Sequence, residues 1–291
     1  MQPISTASTA ATARLPVYFI SHGGGPWPWI PEMRSRLATL EASLADMPRQ
    51  IGRKPRAVLV ISGHWEADQF MVMGTPKPPM VYDYSGFPPH TYSIHYDAPG
   101  APDVAERVRQ LLETAGIPAG IDTRQGFDHG TFSPLEVMYP QADVPVLQLS
   151  LKHGYDVDAH LAAGRALAPL RDEGILIVGS GLSYHNLRNF GPSARAPSAA
   201  FDAWLREILK PASAEARAAS LRAWSQAPAA RLAHPQEDHL VPLMVAAGAA
   251  GDDPSTLVYH DAHVFGGVTA SSWRFGEGAA PTPAAFDPQP A

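Results

Sequence analysis

The sequence predicts an α/β fold: a single domain with a central, mostly parallel sheet covered by helices on both faces. Three observations carry this. Four short runs are β-branched and almost continuously apolar, the composition of strands buried on both sides. Between them lie longer stretches with apolar residues at the helical period. Strand and helix alternate, and the connections are long enough for parallel crossovers. No repeat at a solenoid period interrupts this pattern, and no linker divides it.

The elements follow in order. "LPVYFI" (15–20) is the first buried strand. "SHGGGPWPWI" (21–30) then combines glycines, which allow a sharp turn, with prolines that stiffen it. "PEMRSRLATLEASLADM" (31–47) is a helix opening on Pro31, a residue suited to the first turn. "AVLVIS" (57–62) is the second strand, and "YDYSGFPPHTYS" (82–93) reads as an irregular pocket wall. "APDVAERVRQLLETAG" (101–116) is an amphipathic helix stopped by Gly116. "GFDHGTFSPL" (126–135) reads as a shaped loop, with His129 between Gly126 and Gly130. "VPVLQLSL" (144–151) and "ILIVGS" (175–180) are strands, separated by a helix over 156–174 that Pro169 kinks. Stretches 198–210 and 213–226 form a later helical region. "LVPLMVAAGAAG" (240–251) is apolar all round, so it is a buried helix. The domain spans 15–275. Residues 1–14 form a flexible lead, and the Pro- and Ala-rich stretch 276–291 is a disordered or surface-draped tail.

Composition narrows the function. The 291 residues carry a net charge of −6, which argues against nucleic acid or an anionic membrane as the main partner. There is no cysteine, so disulfides and thiolate metal sites are excluded, and a reducing cytoplasm fits. No apolar run reaches the length of about eighteen that a membrane span requires. Any metal must be held by His, Asp or Glu, and there are 12 histidines.

Position singles out some of these histidines. His22, His64 and His185 each follow a buried strand within a few residues. In open α/β sheets ligands bind beyond the carboxyl ends of the strands, so three such loops can converge. His239 lies at the start of the apolar helix, and His129 lies in the Gly-flanked stretch. Two readings stand on the residues alone. One is a set of structural histidines in loops; the other is a metal site, since neutral imidazole is the commonest transition-metal ligand. His90, His95, His153, His160, His260 and His263 fall in the structural class. Other motifs fail: "GSGLSY" (179–184) lacks the third glycine of a dinucleotide fingerprint, and Ser180 is not in a G-x-S-x-G elbow.

Six segments in series, "SHGGGPW", "ISGHWE", "GFPPHTYSIHYDAPG", "GFDHGTFSPLEVMYP", "GSGLSYHNLRNF" and "HPQEDHLVPL", resemble the class III extradiol ring-cleaving dioxygenases. The similarity is to the 4,5-DOPA extradiol dioxygenase-like branch and runs from about residue 15 to about residue 250. The resemblance implies a single α/β domain with a non-haem metal at the strand carboxyl edge. It implies His22, His64 and His239 as metal ligands. It makes His185 the acid–base residue, able to approach the metal as a fourth ligand when zinc is bound, and puts His129 on the oxygen and substrate side. It implies Fe(II) in the active enzyme, with Zn(II) as an occupant of purified protein, and as partners a small aromatic diol and O2, both atoms of which would enter the ring next to the diol. One departure stands out. Protocatechuate-type members use a glutamate as third ligand, whereas His239 falls here, so Glu237 or Asp238 is an alternative.

Trp27 and Trp29 are either an apolar wall against the substrate ring or core. Arg188 is a candidate carboxylate reader or a surface charge. Two rival functions remain open on sequence: a zinc hydrolase using the same histidines, and a non-catalytic binding protein on this fold.

Overall fold

The computed structural model describes residues 14–210 and 213–287. Eight strands form one sheet: β1 Val17–Ser21, β2 Ala57–Ala67, β3 Phe70–Met73, β4 Ala119–Asp122, β5 Val146–Lys152, β6 Ile175–Gly181, β7 Ser255–Val264 and β8 Val268–Phe275. Their spatial order is β4-β3-β5-β2-β6-β1-β8-β7. The four apolar runs of the sequence are the contiguous centre, β5-β2-β6-β1, and every pairing among them is parallel. The flanks are mixed: β3 runs antiparallel to β5 but parallel to β4, and β8 is antiparallel to both β1 and β7. The mostly parallel sheet expected from the sequence is present, with antiparallel joins at its two sides.

Helices cover both faces. Successive strand residues point to opposite sides. At the end of β6, a Cβ on Gly179 would meet the backbone of Pro242, in the helix Val241–Ala250. The next residue, Ser180, donates its hydroxyl to Gly130 O, in the helix His129–Met138 on the other face. The helix Val241–Ala250 is buried at every position, as its uniform apolarity predicts, and packs between the sheet and the helix Val157–Leu167.

Several expectations need correction. The stretch 31–47 is two helices, Pro31–Arg36 and Ala38–Ile51, broken at Leu37. The helix expected over 156–174 ends at Leu167, and Pro169 sits in a 3-10 turn, Ala168–Arg171. "GFDHGTFSPL" is not a loop. Asp128 caps a helix that begins at His129, its carboxylate accepting the Thr131 N–H.

The Pro- and Ala-rich stretch lies against the sheet as far as Asp287. Arg274 donates to the carbonyls of Gly278 and Ala279, Ala285 is fully buried, and Asp287 N–H donates to His260 O. Residues 288–291 and the lead up to residue 13 lie outside the described residues. No helix among the described residues is long and apolar enough to cross a membrane.

Candidate metal centre

Five motif histidines arrive at one end of the sheet from five places in the chain. His22 directly follows β1, its N–H bonded to Gly181 O at 3.2 Å. The chain then turns through Gly23 at φ +84°, where a Cβ would lie 2.5 Å from the Trp27 indole nitrogen. Glycine is required there on both counts. Trp27 is buried beneath the turn and donates its indole N–H to His22 O at 2.9 Å. Neither tryptophan lines the cavity described below, and Trp29 packs edge-on against Phe132 at 5.7 Å. Of the two roles the sequence allows the tryptophans, core packing is the one observed.

His64 is inside β2 rather than after it. The strand continues to Ala67, but its register with β5 shifts between Ile61 and Glu66, and His64 sits on that irregularity. A bulge of this kind re-aims a side chain. His239 precedes the helix Val241–Ala250, and its carbonyl accepts Leu182 N–H at 3.1 Å. A Cβ on Gly181 would come within 2.1 Å of that carbonyl, so the approach of His239 to the end of β6 also depends on glycine. His185 lies four residues beyond β6, its N–H bonded to Ala233 O at 2.9 Å. His129 opens its helix.

The side chains converge. His64 Nε2 lies 3.3 Å from His22 Nε2 and 3.1 Å from His239 Nε2. The three rings offer one nitrogen each within 4.8 Å of one another. His185 stacks on His239 with centroids 3.4 Å apart and planes at 19°. His129 lies over His64 at 3.9 Å. Two carboxylates stand behind the rings. Asp238 Oδ2 is 2.6 Å from His239 Nδ1 and 3.6 Å from His185 Nδ1. Asp83 meets His129 Nδ1 at 2.9 Å and His64 Nδ1 at 3.2 Å. Glu237 pairs with Arg231 at 2.9 Å and does not line the cavity.

Electrostatics favour neutral rings. Burial, then repulsion from the other imidazoles, pushes His22 and His239 well below the ordinary histidine range. Burial and His129 bring His64 down to about 3, although Asp83 and Asp238 oppose the shift. Burial alone would raise Asp83, but its bonds to His129 and the neighbouring His64 outweigh that and hold it low. Asp128, buried beneath the site, is pushed up to about 6 by burial and by the charge of Asp83, against its hydrogen bonds from Ser62 and Gln148.

Three neutral imidazoles turning Nε2 on one another fit a shared transition-metal ion. Two nitrogens each ~2.0–2.1 Å from one ion stand at most about 4.2 Å apart. Both Nε2–Nε2 pairs, at 3.3 and 3.1 Å, satisfy this. Neutral nitrogen donors suit Fe, Zn, Cu or Ni rather than Mg or Ca.

The rings form the floor of a cavity of about 630 Å³. The stretch 82–93 supplies one wall through Asp83, Tyr84, Ser85 and Phe87, as its composition suggests. Leu182, Phe190 and Phe265 supply the other side. Arg188 is exposed and does not line the cavity. Two participants escape the sequence reading. Asp83 lies within the wall segment 82–93, where the signal is a lone carboxylate among aromatics. Phe265 comes from the β7–β8 turn, and nothing in its local sequence marks it.

Comparison with known proteins agrees with the geometry. The family described as the catalytic LigB subunit of aromatic ring-opening dioxygenase matches residues 29–276. A 4,5-DOPA dioxygenase extradiol of Beta vulgaris is 39% identical over 262 residues, covering 89% of this chain and 95% of that protein. One of the same name from Escherichia coli K12 is 34% identical over 267 residues, covering 88% and 93%. The crystal structure of an uncharacterized protein from Escherichia coli K12 superposes with a TM-score of 0.72 at 28% identity, covering 90% of this chain and 100% of that one. The chain therefore belongs to the LigB family of aromatic ring-opening dioxygenases and is an enzyme of the extradiol type.

Proposed function

We propose that the chain holds one ion, Fe(II) in the active enzyme, through Nε2 of His22, His64 and His239, and opens a catechol-type ring beside its diol with both atoms of O2. Zn(II) is the substitute expected in purified protein. The observation that supports this reading is the pair of Nε2–Nε2 separations, 3.3 and 3.1 Å, between rings held neutral at the floor of an open cavity. When bound, a redox-active ion held on one side only supplies adjacent coordination positions and an electron path between diol and O2. His22, His64 and His239 hold that side and leave the cavity side free.

His185 takes a phenolic proton and later returns it, a task suited to imidazole near neutral pH. Its Nδ1 is turned towards Asp238, which leaves Nε2 for the substrate. His129, its Nδ1–H held by Asp83, can carry a second proton and offer Nε2–H to charge developing on oxygen, an electrostatic role. Tyr84, Phe87, Phe190 and Phe265 exclude water and flank an aromatic ring. Among the described residues lining the cavity there is no Lys or Arg, so a carboxylate on the ring would find no cation there. A neutral catechol, or a DOPA-like one whose amine accompanies its carboxylate, is the substrate class this wall accepts. The lack of cysteine suits work in a reducing cytoplasm.

The test is anaerobic loading with Fe(II), then addition of air and a panel of catechols. Oxygen uptake with a yellow ring-opened product is expected. Turnover that proceeds without O2, or no consumption of any diol, would overturn the proposal.

A further inference from the structure

Asp83 belongs to none of the histidine-bearing segments, yet it touches two of the five rings. Its carboxylate receives His129 through three contacts: Nδ1 at 2.9 Å to each oxygen, and the backbone N–H at 3.0 Å. The same carboxylate lies 3.2 Å from His64 Nδ1. The opposite nitrogen of His64 faces His22 and His239, so both edges of that ring are accounted for. The loop that carries Asp83 is itself tied down. Val81 N–H donates to Phe127 O at 2.8 Å, Tyr82 OH to Ile94 O at 2.8 Å, and Tyr84 OH to Thr91 O at 2.6 Å.

We infer that Asp83 is a positioning residue that acts through His64 and His129 at once. Its oxygens accept the Nδ1–H of His129 and lie beside Nδ1 of His64, which favours a proton at Nδ1 of both rings, leaves His64 Nε2 as a lone-pair donor and turns His129 Nε2 to the oxygen side. Which imidazole nitrogen carries the proton is set by the bond the other one makes. A carboxylate behind a metal-binding histidine orients the ring and raises its basicity. Here one carboxylate serves a histidine assigned to the metal and a histidine assigned to the oxygen side, so their orientations are set together. The inference rests on the proposed metal centre for the role of His64, but not for that of His129. A different use of the same three side chains is a second ion held by His64, Asp83 and His129, whose donor atoms also cluster.

The experiment uses the full chain with zinc as probe and compares wild type with Asp83→Asn and Asp83→Ala. Zinc stoichiometry and affinity are measured against a chelator, and ring tautomers by 15N NMR of labelled histidine. Wild type should bind one zinc, with His64 and His129 both in the Nδ1–H form. Asp83→Ala should weaken zinc by about 10- to 100-fold and release His129 from that tautomer. Asp83→Asn keeps the shape but has one acceptor oxygen for two rings, so it should fall between the two and serves where the alanine variant does not fold. Wild-type affinity and unchanged tautomers in both variants would overturn the inference, as would two zinc ions in wild type falling to one in Asp83→Ala. If wild type takes up no zinc, the metal proposal fails. The His129 tautomer then decides: Nδ1–H in metal-free wild type and lost on Asp83→Ala supports the role of Asp83, and no change overturns it.

Discussion

Buried histidines occur in two regions of this protein, and they differ in what their nitrogens face. His160, beside the last residue of β5, is fully buried with both nitrogens engaged by backbone: Nδ1–H donates to Asp156 O at 2.7 Å, and Nε2 accepts Lys152 N–H at 3.1 Å. His234 donates Nε2–H to Ser183 O at 3.1 Å. At the carboxyl end of the sheet, His22, His64 and His239 direct Nε2 at one another instead. Burial lowers the affinity for protons in both regions, to about 4 at His160 and about 3 at both His234 and His64. A depressed pKa therefore does not tell a structural histidine from a ligand. The partner does: both nitrogens of His160 end on backbone, whereas the three site rings turn Nε2 on one another, with carboxylates behind His64 and His239.

The largest expected effect separates the two sets outright. His22→Ala or His64→Ala should reduce bound metal from one ion per chain to background in elemental analysis, while His160→Gln should leave the stoichiometry at one. Loss of metal in all three would erase the distinction.

Next is the split between holding metal and moving protons. His185→Gln should retain the ion and lower kcat by about 10²- to 10⁴-fold, the usual contribution of a positioned acid–base group. Metal loss in this variant would move His185 into the ligand set.

Smaller is the pH response of the structural region. His160 is neutral in the fold, with a pKa of about 4 against an ordinary 6.5. Its folded pKa is the lower one, so its contribution is complete above pH 6.5 and is lost as pH falls towards 4, because the unfolded chain takes up the proton first. Over that window the loss is about 3 kcal/mol. Denaturant unfolding at pH 7, 5 and 4 should show a shallower acid dependence for His160→Gln than for wild type, and parallel curves would contradict this. Smallest of all, Arg188→Ala should leave KM unchanged for any catechol, since Arg188 is exposed and outside the cavity wall.

Legibility followed burial. β1, β2, β5 and β6 are apolar throughout because they are the covered centre of the sheet, and all four were readable. β4 is half-exposed along its length, and β8 is buried but carries Ser271, Ser272 and Arg274, whose side chains meet distant partners: Ser271 Oγ donates to Asp202, Ser272 Oγ accepts Ser21 N–H, and Arg274 donates to Gln50. Nothing local announces a strand there. At the site, the histidines were visible because a buried apolar run precedes three of them and because their segments resemble a family. Asp83 was not, since its meaning lies in two rings that the fold brings to it from positions 64 and 129. The helix starting at His129 was hidden by Gly126 and Gly130, which suggested a loop, while the Asp128 cap that defines its start needed the Thr131 N–H to be recognised.

The most direct measurement is the position of the ion itself, by anomalous diffraction at the iron edge from crystals of anaerobically loaded protein. The predicted result is one peak within bonding distance of Nε2 on His22, His64 and His239, with Asp238 and Asp83 on the far sides of their rings. A peak held by Asp238 or Asp83, or centred on His160 or His234, would contradict the assignment.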